Sequence, residues 1–281
     1  MARMRDGEEL RVRRIGSGAP PLLLFNGLVS SEAHWPFFLE HFSARREVVF
    51  WDYRGHGGQA PPRNLRSITV EQFAEDAHDV LGVPAVSVAL SFGVQVALEH
   101  YKRHRENVRA LVLICGTDGH PLDRIGGAAW LRQNAARLMR AFARGGPLAR
   151  AALRTGRLAL ARELAYLSGG AHRDLCPREV LDGVFAHTAQ MDPRVVGRVV
   201  ASYFEHSARD VLPTIQVPTL IIAGDRDELT PVECAERMER EIRRAGAPVR
   251  LVVYPGHSHL VQTERPDDVH AEIDHFLSEL K

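Results

Sequence analysis

Short runs of almost unbroken apolar residues, each followed by a stretch with helical periodicity, constrain this chain more than any other feature. Ala110-Leu111-Val112-Leu113-Ile114 is apolar at every position. A strand can carry that pattern only when both of its faces are covered, which is the situation inside a parallel sheet layered by helices. Strands are expected at Leu10–Ile15, Pro21–Phe25, Glu47–Asp52, Ala85–Ser91, Val108–Thr117, Thr219–Asp225 and Val249–Tyr254. Helices fit between or after them at Val70–Leu81, Gly93–His104, Val232–Ala245 and Pro266–Leu280, the last opening with proline and two acids in its first turn. From about His120 to Leu212 the strand signals stop and only helical patterns remain, broken by Gly145-Gly146-Pro147, Gly169-Gly170 and Pro193. The expected architecture is α/β: a mostly parallel sheet sandwiched by helices, with an all-helical cap insertion. The core should comprise residues 1–119 and 213–281, and the cap residues 120–212; 281 residues are ample for both.

Composition removes several function classes. No apolar run approaches the ~20 residues that cross a bilayer, so integral membrane association is not expected. The charged start, Met1-Ala2-Arg3-Met4-Arg5, has no apolar stretch behind it and does not read as a secretory leader. Cys115, Cys176 and Cys234 are odd in number and lack metal-type spacing. A cytoplasmic location is the default. Thirty-six basic against 35 acidic residues give no reason to invoke nucleic acid.

The chemistry concentrates in Val86-Ser87-Val88-Ala89-Leu90-Ser91-Phe92-Gly93. An apolar strand runs into Ser91 and a helical pattern starts directly after it. So sharp a turn holds a serine Oγ clear of the sheet, and small residues two before and two after, Ala89 and Gly93, let strand and helix approach closely. The plainer reading of Ser91 is a helix N-cap.

Further segments match in order. Phe25-Asn26-Gly27-Leu28 ends a strand, with Trp35 seven residues beyond. Asp52-Tyr53-Arg54-Gly55-His56-Gly57, Gly224-Asp225-Arg226-Asp227 with Pro231, and His257-Ser258-His259 with Glu264-Arg265-Pro266 follow. Together with the serine turn these resemble the oxyanion, Asp-x-Arg-Gly-x-Gly, acid and histidine loops of the α/β-hydrolase superfamily. Asn26 stands where that superfamily usually has histidine, and Ala89 where it usually has glycine. The resemblance spans about residues 9–119 and 213–281 and leaves the cap unmatched. It implies a serine hydrolase acting on a carboxylic ester, lactone or thioester, with no cofactor and no metal. Acyl transfer, C–C cleavage, lyase or cofactor-free peroxidase chemistry, and a non-catalytic receptor of the same fold, are the alternatives. Aspartate-nucleophile reactions such as epoxide opening are disfavoured by serine at position 91.

A serine hydroxyl needs an adjacent base, usually a histidine oriented by a carboxylate. His259 is the expected base, because its distance to Glu264 and Pro266 matches the family spacing; His257 is the alternative. Asp227 is the expected acid, with Asp118 the alternative and Asp225 a turn former. The oxyanion would be held by the backbone N–H groups of Leu28 and Phe92. His100 and His104, one helical turn apart, are expected to be solvated, and Arg54 to bridge neighbouring loops. Nine arginines and no acid lie between Arg124 and Arg162, interleaved with apolar residues. They read as a solvated face, with an anionic substrate or partner and a membrane-surface contact as alternatives. The expected substrate is a small molecule with a medium-size hydrophobic acyl part, with a modest preference for a negative group.

Overall fold

The computed structural model describes residues 1–121 and 158–280, with residues 130, 133, 134, 137, 141, 144 and 146 between them. A two-stranded antiparallel ribbon of β1 (Ala2–Arg3) and β2 (Glu9–Leu10) precedes the main sheet. The sheet contains β3 (Val12–Ile15), β4 (Leu22–Phe25), β5 (Val48–Trp51), β6 (Ala85–Leu90), β7 (Val108–Ile114), β8 (Thr219–Gly224) and β9 (Val249–Tyr254). Their spatial order is β3-β5-β4-β6-β7-β8-β9. Only β3 runs antiparallel to its neighbour; every other pairing is parallel.

Alternate residues of a strand serve opposite faces of the sheet. Leu23, Phe25 and Ala89 join one buried cluster with Phe73, Val96 and Met238, and Leu22, Leu24, Val86 and Val88 join another with Phe38, Phe42, Ile273 and Phe276. The first cluster is covered by α2 (Val70–Leu81), α3 (Phe92–Arg103) and α7 (Val232–Arg244), and the second by α1 (Pro36–Ser43) and α9 (Pro266–Glu279), which follows the one-turn α8 (Val261–Glu264). Helix α2 has the span its sequence predicts because its ends are signalled: Thr69 Oγ1 accepts from Gln72 N at 3.1 Å, and Gly82 closes the helix with φ 70°.

The structure departs from the sequence reading at several places. The stretch expected as one strand from Leu10 splits between ribbon and sheet. Strand β7 ends at Ile114 rather than Thr117, because Cys115 has φ 44° and leaves extended geometry. His100 is buried, not solvated, since α3 is covered on nearly every side; its ring lies 5.7 Å from that of Phe25. Burial pushes its pKa down to about 3. Arg54 does join neighbouring segments: its buried guanidinium pairs with Asp76 and with Asp6.

Between β7 and β8 the described residues contain α4 (Leu158–Leu167), α5 (Arg178–Gln190), α6 (Pro193–Glu205) and a short 3-10 helix, Arg209–Thr214, but no strand. Among the described residues, no helix is long and apolar enough to cross a membrane.

Candidate active site

The carboxyl ends of β4, β6 and β8 lie along one edge of the sheet, so the loops that follow them converge. Ser91 sits between β6 and α3 with φ 57° and ψ −119°, an unfavourable conformation for a residue with a Cβ. It occupies the N-cap position, yet its side chain makes no capping hydrogen bond. The plainer reading therefore has no support in the geometry. Gly93 explains how the turn is tolerated: a Cβ there would stand 2.2 Å from the carbonyl oxygen of Phe25. Only glycine lets α3 pass this close to the end of β4.

After β8, Asp227 is buried and its carboxylate is fully engaged. Oδ1 accepts from Leu229 N and Thr230 N, both at 2.9 Å, and Oδ2 accepts from Thr230 Oγ1 at 2.7 Å. The remaining partner is His259, whose Nδ1 lies 2.7 Å from Asp227 Oδ2. A carboxylate accepting from Nδ1–H leaves Nε2 as the basic nitrogen. His259 and Ser91 line one cavity of about 660 Å3, together with Gly27 and Leu28 from the loop after β4. Its remaining walls are mainly apolar: Leu90, Leu181, Val184, Phe185, Phe204, Leu229 and Leu260. Phe92 N–H is the first helical donor of α3, with no carbonyl one turn earlier to receive it.

Residues 22–272 match the sequence profile of the alpha/beta hydrolase family. The chain belongs to that family. Among curated relatives, Epoxide hydrolase 3 of Xenopus tropicalis is 26% identical, over 99% of this chain and 77% of its own length. The pimeloyl-[acyl-carrier protein] methyl ester esterase of Methylococcus capsulatus is 29% identical, over 79% of this chain and 82% of its own length. Among solved structures, the esterase EaEST from Exiguobacterium antarcticum superposes with a TM-score of 0.78 at 19% identity, covering 99% of this chain and 98% of that one. The chain is an enzyme of the hydrolase family whose detailed chemistry these likenesses leave to its own residues.

Within this alpha/beta hydrolase, the alternative residues are occupied elsewhere. Asp118 is buried after β7, where Arg237 Nη2 reaches its Oδ1 at 2.5 Å and Arg209 Nε lies 3.5 Å from its Oδ2. His257 directs Nδ1 to the carbonyl of Pro255 at 2.7 Å and is not among the residues lining the cavity. Asp225 accepts from Gly256 N at 2.6 Å, as a turn former does. The spacing between His259 and Glu264 has a physical basis. Buried Glu264 accepts from Ser258 N at 2.9 Å and from Ser258 Oγ, and so holds the backbone between the two histidines. Asn26 is a structural joint: Nδ2 donates to Trp51 O at 2.7 Å and Oδ1 accepts from Trp35 Nε1 at 2.8 Å.

Cys115, Asp227 and His259 offer three potential metal-ligand atoms within 4.8 Å of one another. The donor set fits a metal poorly. Burial holds the Cys115 thiol protonated by raising its pKa well above the usual range, and both oxygens of Asp227 are already accepting. His34 is a polar lining residue that sequence reasoning missed. It is buried at the end of a 3-10 turn, Glu32–His34, and its ring faces the cavity. Of the nine cap arginines, Arg137 and Arg144 are exposed and Arg162 pairs with Asp182 at 2.6 Å; the other six lie outside the described residues. The charged residue among the described cavity walls is acidic, Glu228.

Proposed function

We propose that the chain is a serine hydrolase cleaving a carboxylic ester, lactone or thioester through an acyl-enzyme on Ser91. The observation that carries this reading is the 2.7 Å contact between His259 Nδ1 and Asp227 Oδ2 in a cavity that also holds Ser91 on its strained turn. In this mechanism His259 Nε2 takes the Ser91 hydroxyl proton as Oγ attacks the acyl carbon. The tetrahedral oxyanion accepts from the backbone N–H groups of Phe92 and Leu28, and its collapse expels an alcohol or thiol that receives the proton from His259. Water, deprotonated by the same imidazole, then attacks the acyl carbon, releases the acid and restores Ser91. Asp227 fixes the imidazole tautomer and stabilises its cationic form.

We further propose that residues 120–212 act as a cap on a core of residues 1–119 and 213–281, with α5 and α6 walling an apolar acyl pocket. The similarity to an enzyme named as an epoxide hydrolase does not favour that reaction here. Epoxide opening through a covalent ester needs a carboxylate nucleophile, and this chain has serine at the turn. The similarity to a methyl ester esterase points to acyl chemistry. Pre-steady-state kinetics with p-nitrophenyl butyrate test the reading. A burst of about one p-nitrophenolate per active site, lost in Ser91→Ala, is the expected outcome. Steady turnover unchanged by Ser91→Ala would overturn it.

A further inference from the structure

His34 has no part in the proposed proton transfers, yet it stands among the residues that carry them out. Its ring lines the same cavity as Ser91, Leu28 and His259. It packs against the backbone of the loop after β4, with Nδ1 3.6 Å from where a Cβ on Gly27 would lie. The ring is locked. Fully buried Ser30 stands one turn earlier, and its Oγ contacts His34 Nδ1. Ser30 Oγ also lies 3.3 Å from the carbonyl oxygen of Ser31. The contact with Ser30 engages Nδ1 and leaves Nε2 as the ring nitrogen free to hydrogen-bond a ligand, by its lone pair or its N–H according to the tautomer. Burial and the nearby His259 and His187 keep the ring neutral, with its pKa pushed down to about 3. The rest of the described wall around it is mainly apolar, so a fixed polar atom there has few competitors for a polar group brought in by a ligand.

We propose that His34 forms a polar subsite whose Nε2 hydrogen-bonds a hydroxyl group of the substrate close to the scissile carbonyl; a hydroxyl can donate to the ring nitrogen or accept from it. This rests on the ester-cleavage reading and narrows it from plain alkyl esters to hydroxylated ones. The hydroxyl belongs to the acyl part or to the leaving alcohol; both present the same group.

Two matched substrate pairs separate these sources. The acyl arm compares p-nitrophenyl 3-hydroxybutyrate with p-nitrophenyl butyrate, and the alcohol arm compares 2-hydroxyethyl butyrate with propyl butyrate. The readout is the ratio of kcat/KM within a pair, which is independent of how much of a variant sample is folded. One hydrogen bond with a neutral imidazole predicts a ratio about fivefold to tenfold larger in wild type than in His34→Phe, in one arm. Ser30→Ala, which frees the ring and its tautomer, should lose part of that preference. Ratios equal in wild type and His34→Phe in both arms overturn the subsite while leaving ester cleavage standing. Failure of wild type to hydrolyse any of the four esters overturns the ester reading and the subsite with it.

Discussion

At the scale of single residues, the candidate site separates groups that look alike in sequence by what each one touches. Asp118 and Asp227 both follow sheet strands, but Asp118 is held by Arg237 and Arg209, whereas Asp227 reaches His259. Their substitutions should therefore fail differently. Asp227→Asn should fold with a near-normal melting temperature and lose about 10⁴-fold in kcat, because the imidazole tautomer is no longer enforced. Asp118→Asn should keep kcat per folded molecule and lose about 2–4 kcal/mol of stability, as its buried end of the ion pair is neutralised. Denaturant melts combined with active-site titration distinguish the two; a large kcat loss in Asp118→Asn would move the acid to the earlier strand. The same contrast holds for the histidines. His259→Ala should abolish burst and turnover, and His257→Ala should retain most of both, since His257 is turned to the Pro255 carbonyl. Residue identity alone left these pairs open because the deciding partners, Arg237 for Asp118 and Asp227 for His259, are brought to them only by tertiary folding. His34 was invisible for a related reason: a 3-10 turn folds it back over Gly27, and no linear spacing announces that.

At the scale of elements, legibility followed local signals. Helices α2, α7 and α9 could be read to within a residue or so because capping residues, proline and amphipathic periods mark their ends. Strands β6, β7 and β8 were readable from unbroken apolar runs. Helix α1 was missed although Pro36 stands at its first turn, because Phe37, Phe38, Leu39 and Phe42 blur the period. The antiparallel course of β3 was also not legible, since direction follows from pairing with β5 rather than from composition. The junction of β6 and α3 carries the sharpest constraint at this scale. In Gly93→Ala the new methyl would meet the Phe25 and Asn26 backbone at 2.2–2.8 Å. Backbone cannot rotate away as a side chain can, so the loss should be roughly 3–5 kcal/mol, measured as a shift of the urea midpoint. A midpoint within experimental error of wild type would mean that strand and helix are not packed this closely.

At the scale of the whole molecule, buried neutral histidines tie stability to pH. Burial depresses His34 and His100 to about 3, and His56 and His270 to about 4. Their contribution is complete above the ordinary histidine value of about 6.5 and is lost as pH falls toward the folded-state values, because the unfolded chain takes up protons first. Asp52 acts in the opposite sense over part of this range: burial raises it to about 6, so it binds its proton earlier when folded. His78 and His187 are lowered as well, and burial also raises Asp76; six histidines against two carboxylates predict a net fall in unfolding free energy from pH 6.5 to 4.5. His100→Leu should flatten that fall by up to about 1.4 kcal/mol per pH unit. Urea titrations at several pH values check it; identical pH slopes in the two proteins would contradict it. The cavity also revises the expectation for charge. With Glu228 in the described wall, matched anionic esters should show no advantage over neutral ones at low salt; a several-fold advantage that fades with salt would return the cap arginines to the substrate.

The central claim is that Ser91 is the activated nucleophile, and covalent labelling tests it most directly. A fluorophosphonate probe should add one adduct to the wild-type chain, with peptide mapping placing it on Ser91, and should leave Ser91→Ala at its unmodified mass. Equal labelling of the two proteins, or an adduct mapped to another residue, would contradict the account.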